Sequence, residues 1–185
     1  MKSMYTDKLR FIEKAVSDDA TRYFMCYPYY DKDECQLVAT DGRRLHIFKL
    51  NSSDINNLGL TEVEASTYVK IDAKAGRVYP IKQDGIFPNY KRVIPDNIVK
   101  DEKKLSLNTK NEKIAGIPRF YVRSGMVVNY DYLADCVGFT WEVYFVKTDG
   151  CDAYKEKALT LKTIVEDKGY SELTAIIMPM LQEDN

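Results

Sequence analysis

The residues best suited to chemistry in this chain are few and scattered. His46 is the only histidine, so neither a histidine-rich metal site nor an imidazole pair can be assembled. Cys26, Cys35, Cys136 and Cys151 form no Cys-x-x-Cys pair and no zinc-like spacing. They read as separate reduced thiols, as in a cytosolic protein. No glycine-rich phosphate loop occurs. Neighbouring carboxylates such as Asp18 and Asp19 fall in a turn, where solvated charge is the ordinary outcome. Catalysis is a poor fit, and neither a cofactor nor a metal is expected.

Three runs suit binding better. Ala39-Thr-Asp-Gly-Arg-Arg-Leu45 sets a tight Asp-Gly turn beside two planar donors, Arg43 and Arg44, and restarts an apolar face at Leu45. Phe87–Pro95 is a stiff segment with two prolines, an aromatic start and Arg92. Ala175-Ile-Ile-Met-Pro-Met180 ends in two adaptable thioethers around a fixed Pro179, a good floor for an apolar peptide. Alone, the first is only a hairpin, the second a buttressed loop and the third a piece of core.

The elements around these runs follow from periodicity. Tyr5, Leu9, Ile12 and Val16 recur at spacings of four, three and four, one stripe of a helix. Thr6 is its expected cap, and Lys8, Arg10 and Lys14 fall on its exposed side. Strands are expected at 23–30, 35–39 and 44–50, the last two joined by the Asp41-Gly42 hairpin turn. A loop is expected at 51–57, and strands at 68–71 and 77–81 around a turn at Lys74-Ala-Gly76. Further strands are expected at 105–108, 120–128, 141–147, 158–165 and 173–178. A short helix over 130–137 is capped by Asn129, and turns fall at 148–150 and 166–169. Thr-Asp-Gly occurs at 40–42 and again at 148–150, each after a helix-to-strand passage.

Composition sets the outer limits. The 185 residues suffice for one ordinary domain or two very small ones. With 45% hydrophobic and 30% charged residues, a packed core in a soluble protein is expected. The net charge of -1, from 27 basic and 28 acidic residues, rules out a wholesale basic patch but not a local basic face. No apolar leader begins the chain and no run is long enough to cross a bilayer, so a cytoplasmic protein with no membrane partner is expected.

Taken jointly, the three runs resemble the segments that build the peptide-binding pocket of the bacterial sliding clamp, the beta subunit of the replicative DNA polymerase. The family pattern is similar to Ala-Thr-Asp-Gly-His-Arg-Leu, then Phe-Pro-Asp-Tyr-Arg-Arg-Val-Leu-Pro, then Met-Pro-Met near the C-terminus. This chain departs at Arg43, Asn89, Lys91 and Ile94. Lys14–Arg22 and Val128–Asp135 also look like family segments. Residues 1–50 resemble the first half of the family's middle domain and 118–181 the second half of its last domain. The resemblance therefore implies a shortened clamp: an α+β, DNA-clamp-like single domain over 1–185, with two helices on antiparallel sheets from two related half-motifs and a connecting region at 51–117. Two shrunken domains are the alternative.

The resemblance also implies a function. In the family the three segments line a hydrophobic cleft that captures short motifs rich in Gln, Leu and Phe from polymerases, the clamp loader and repair proteins. Carried over, the peptide-binding residues are Thr40, Gly42, Arg43, Arg44, Leu45, Pro88, Arg92, Val93, Ile176, Met178, Pro179 and Met180. One fully buried apolar anchor contributes about 1.5–3 kcal/mol. In the family, basic residues on helices face double-stranded DNA. Lys8, Arg10 and Lys14 occupy that role here, and assembly would be as a homo-oligomer. The alternative is a monomeric adaptor or decoy of the replication machinery that does not encircle DNA.

Overall fold

The computed structural model describes residues 5–96, 98–106, 119–122, 126–136, 138–146, 158–163 and 171–179. The chain is α+β, its strands pair antiparallel, and it divides into two compact units. The first holds residues 1–90 with 165–174, and the second holds 91–164 with 175–185.

In the first unit, α1 (Thr6–Glu13) buries Leu9, Phe11 and Ile12. Tyr5, Leu9 and Ile12 of the expected stripe are buried, but the helix ends before Val16, Phe11 off the stripe is buried as well, and Thr6 is not the cap. Tyr5 occupies that position without a side-chain capping bond, and Thr6 is buried inside the first turn. Helix α1 lies against β2 (Gln36–Thr40), β3 (Arg44–Lys49) and β4 (Thr67–Asp72). With β1 (Tyr29–Asp31) and β5 (Arg77–Pro80), the strand order is β5-β4-β1-β2-β3. Strand β2 is buried at every position, so its centre, Leu37-Val-Ala39, reads as an apolar run rather than an alternation, with the buried polar Gln36 and Thr40 at its ends.

Two expectations fail here. The segment 23–30 is mostly not strand: Ala20–Met25 winds as a 3₁₀ turn started by Asp19, whose carboxylate accepts the Thr21 N–H at 2.9 Å. The loop expected at 51–57 is a helix, α2 (Ser52–Leu58). Its first turn is a reciprocal capping box: the Asn51 side chain accepts the Asp54 N–H at 2.8 Å, and Asp54 accepts the Asn51 N–H at 2.9 Å. Gly59, at φ 82, ends it in the left-handed conformation. The turn at Lys74-Ala-Gly76 forms as expected, between β4 and β5.

In the second unit, β6 (Ile98–Ser106), β9 (Thr140–Val146), β10 (Leu159–Thr163) and β11 (Leu173–Ile177) follow the order β11-β10-β9-β6. The first two residues of β11 belong to the first unit. The single strand expected at 120–128 is instead a hairpin of β7 (Arg119–Val122) and β8 (Met126–Asn129), with Phe120 opposite Val128. Asn129 then caps α3 (Tyr130–Ala134) as expected, accepting the Asp131 N–H at 2.9 Å. Trp141 is fully buried, and its indole N–H donates to the Cys136 carbonyl at 2.8 Å. The expected turns at 148–150 and 166–169 lie outside the described residues, and so does the second half of the Thr-Asp-Gly echo.

Candidate functional site

The first run folds as the β2–β3 hairpin, with Thr40 opposite Leu45. Its turn is held from within. The Thr40 hydroxyl donates to the Arg44 carbonyl at 2.7 Å and accepts the Gly42 N–H at 3.1 Å. The Asp41 carboxylate accepts from the Arg43 N–H at 2.8 Å and the Arg44 N–H at 3.0 Å. Gly42 has φ 88, and a guanidinium nitrogen of Arg22 stands 3.3 Å from where a Cβ would be. The group that approaches this glycine is thus Arg22, which also donates to the Asp41 carbonyl at 3.3 Å.

Arg43 and Arg44 part company here. Arg44 is half-buried, its Nε donates to Asp41 Oδ2 at 3.0 Å, and its Nη2 donates to the Lys14 carbonyl at the end of α1. It ties the hairpin to the helix. Arg43 carries an exposed side chain. Leu45 is only 2% exposed, and Thr40 is also buried.

The second run is anchored at its start. Phe87 is buried and stacks on Tyr29 at 4.8 Å, with Tyr68 edge-on at 6.0 Å. Pro88 is half-buried. Tyr90 is buried too: its hydroxyl donates to Asp31 Oδ2 at 2.6 Å and accepts from Gln36 Nε2 at 2.5 Å. Burial first, and the bond to Asp31 second, push the Tyr90 hydroxyl well above the usual tyrosine range, so it is a permanent donor. From Tyr90 the chain makes a 3₁₀ turn to Val93, which leaves Arg92 and Val93 exposed, Val93 at 47%. The irregular run expected from its two prolines thus contains one short turn.

The third run completes β11. Ile176 is buried in the strand, Met178 beyond its end is 41% exposed, and Pro179 is half-buried. Met180 lies outside the described residues.

The basic side of α1 is thinner than its sequence implies. Lys8 is half-buried; its Nζ donates to Ser171 Oγ at 2.5 Å and lies 5.4 Å from the Phe48 ring centre. Burial lowers the pKa of its ammonium. Arg10 and Lys14 have exposed side chains.

The sequence marks Tyr90 only as part of its run, and it does not mark Asp31, Gln36, Tyr29 and Arg22 as the groups that hold the runs in place. By pattern alone, Asp31 reads as turn and Gln36 as strand. The one local signal is the Phe87-x-x-Tyr90 spacing, two aromatics in a proline-stiffened loop.

Among the described residues, no group of three or more His, Cys, Asp or Glu side chains is placed to hold a metal, and no helix is long and apolar enough to cross a membrane.

These hairpins and small helices on antiparallel strands have the fold of a DNA sliding clamp. No family model and no curated protein matches the chain. Solved structures of bacterial DNA polymerase III beta clamps do. The Streptococcus pneumoniae beta chain superposes with a TM-score of 0.59 at 15% identity, over 98% of this chain and 64% of that one. The H. pylori beta clamp in complex with diflunisal gives 0.57 at 10% identity, over 98% of this chain and 65% of that one. The Bartonella birtlesii sliding clamp bound to griselimycin gives 0.52 at 18% identity, over 96% and 63%. The likeness is one of fold, and the chain spans a little under two thirds of each clamp.

Proposed function

We propose that this chain is a non-enzymatic, sliding-clamp-type accessory of DNA replication that works in the cytoplasm. In this reading it binds short linear motifs of DNA polymerase, clamp-loader or repair proteins, and double-stranded DNA as a homo-oligomer. The observation that carries the replication reading is the clamp fold, which extends over 98% of the chain. The peptide reading draws on the three runs, which keep the family's order. The exposed Arg43, Arg92, Val93 and Met178 are side chains a peptide can reach. In the second unit, Val93 and Met178 would take apolar anchors and Arg92 polar or acidic groups; Arg43, in the first unit, is by itself a candidate for acidic groups. After the entropic costs of association, a site of about -8 kcal/mol, roughly micromolar, is expected.

Fluorescence polarisation with a labelled peptide rich in Gln, Leu and Phe tests this. Wild type should bind, and Arg92→Ala with Met178→Ala should weaken binding while the fold persists. Equal binding by both proteins removes the peptide site.

A second reading, the monomeric adaptor that does not encircle DNA, is favoured by the α1 surface. Lys8 is engaged with Ser171, which leaves Arg10 and Lys14 as its exposed cations, and α3 presents the exposed Asp131. Light scattering together with retention on closed circular DNA separates the two. A strict monomer with no salt-sensitive retention would exclude the clamp reading.

A further inference from the structure

We infer that Tyr90 is a positioning residue. Held by Asp31 and Gln36, it fixes the start of the turn that presents Arg92 and Val93, and so sets the affinity of the peptide site. The inference rests on the proposed peptide function. It concerns residues that do not themselves touch the peptide.

The three groups form a buried hydrogen-bonded network. Tyr90 is 6% exposed, Asp31 7% and Gln36 9%. The Tyr90 hydroxyl uses both its roles, donating at 2.6 Å and accepting at 2.5 Å. Asp31 also acts a second time: its Oδ1 accepts the Glu34 N–H at 3.2 Å, which closes the turn between β1 and β2. One carboxylate thereby joins a loop 59 residues away to the edge of a tight turn. The Tyr90 N–H also donates to the Pro88 carbonyl at 2.7 Å, so the backbone at the anchor is fixed as well. Arg92 and Val93 follow two and three residues later, within the same 3₁₀ turn.

A buried hydroxyl between a carboxylate and an amide is not needed to fill space, since Phe has nearly the same shape. Removing it takes one hydrogen bond each from Asp31 Oδ2 and the Gln36 amide in a buried site. The cheapest relief is for the loop to lift and admit water. The turn would then sample many conformations, and a peptide would have to order it again on binding.

The test is Tyr90→Phe in the full chain, read in two ways. Hydrogen–deuterium exchange should show faster exchange over 87–95, with the β2–β3 hairpin and α1 unchanged. Peptide affinity should fall about tenfold. Asp31→Asn, whose single amide oxygen can serve the Glu34 N–H or the Tyr90 hydroxyl but not both, should show the same faster exchange over 87–95 and the same weakened affinity. Unchanged exchange over 87–95 in Tyr90→Phe overturns the inference, and so does faster exchange with unchanged affinity. If wild type binds no peptide, the functional reading fails, and the exchange result alone decides whether the anchor holds the turn.

Discussion

His46 Nδ1 lies 2.6 Å from the carbonyl oxygen of Phe11, and the two rings stack at 4.0 Å with 2° between their planes. The carbonyl can only accept, so Nδ1 carries the hydrogen and Nε2 is the bare nitrogen. That nitrogen is buried and has no hydrogen-bond partner among the described residues. The chain's one histidine is therefore a neutral structural group that ties α1 to β3. Burial depresses its pKa to about 3, and the nearby charges of Arg44 and Lys14 act in the same direction, against the raising effect of the Phe11 carbonyl.

A pH dependence follows. Unfolded, the imidazole takes its proton near its ordinary value of 6.5; folded, it does so only near 3. Between these values the unfolded chain holds more protons, so acid favours unfolding. This contribution to stability is complete above pH 6.5 and falls toward pH 3 by up to about 1.4 kcal/mol per pH unit. Urea midpoints at pH 7, 6, 5 and 4 should decline accordingly. His46→Gln should be less stable at pH 7, because the stack on Phe11 is lost, yet show a flatter decline. An identical slope in both proteins would mean that other groups set the acid sensitivity.

The two neighbouring arginines of the hairpin should separate by experiment. Arg44→Ala removes a partner of Asp41 and of the Lys14 carbonyl in a half-buried setting and should cost about 1–3 kcal/mol in chemical denaturation. Arg43→Ala, at an exposed side chain, should stay within about 0.5 kcal/mol of wild type. If the peptide reading is right, Arg43→Ala changes affinity without changing stability. Equal stability loss in both variants would refute the division of roles.

Helix α2 should depend on its capping box. Asn51→Ala leaves the Asp54 N–H without its acceptor and should cost about 1 kcal/mol. Hydrogen exchange should localise the loss to 52–58. Asn51→Asp, which keeps an acceptor, should retain most of the stability. A loss spread evenly over the first unit would show that α2 has no cap-dependent stability of its own.

What is legible in the sequence, and what is not, divides by range. The Tyr5–Ile12 part of the α1 stripe, the Asp41-Gly42 hairpin and the Asn129 cap depend on residues within about one or two turns of each other, and these form as expected, while the helix stops short of Val16. Helix α2 escapes the periodicity because seven polar-rich residues carry no apolar stripe; its Asn-x-x-Asp cap and Gly59 are the available signals. The strand expected at 23–30 fails because aromatic content favours strands, but the Asp19 carboxylate captures the Thr21 N–H and starts a 3₁₀ turn instead. At the candidate site, the sequence shows which groups can donate and not where their acceptors lie. Arg44 reads as an available donor until Asp41 and the Lys14 carbonyl are placed beside it. The Tyr90–Asp31 bond spans 59 residues and leaves no local trace.

Burial also decides which substitution tests the peptide site cleanly. Leu45 and Met178 both belong to the three runs, but Leu45 is 2% exposed and Met178 is 41% exposed. Leu45 stands opposite Thr40 at the closed end of the hairpin, where truncation leaves a cavity. Leu45→Ala should cost about 2–5 kcal/mol of stability, so weaker peptide binding by that variant would be ambiguous. Met178 lies past the end of β11 and contributes little to its own unit's core. Met178→Ala should change stability by less than about 1 kcal/mol. If Met178 supplies a peptide anchor, the same change should weaken binding by roughly tenfold, because the lost apolar contact is made only in the complex. Thermal unfolding and fluorescence polarisation on the two variants read the two effects separately. The expected pattern is stability lost at Leu45 and affinity lost at Met178. Loss of stability at Met178 comparable to that at Leu45 would place Met178 in the core and remove it from the site.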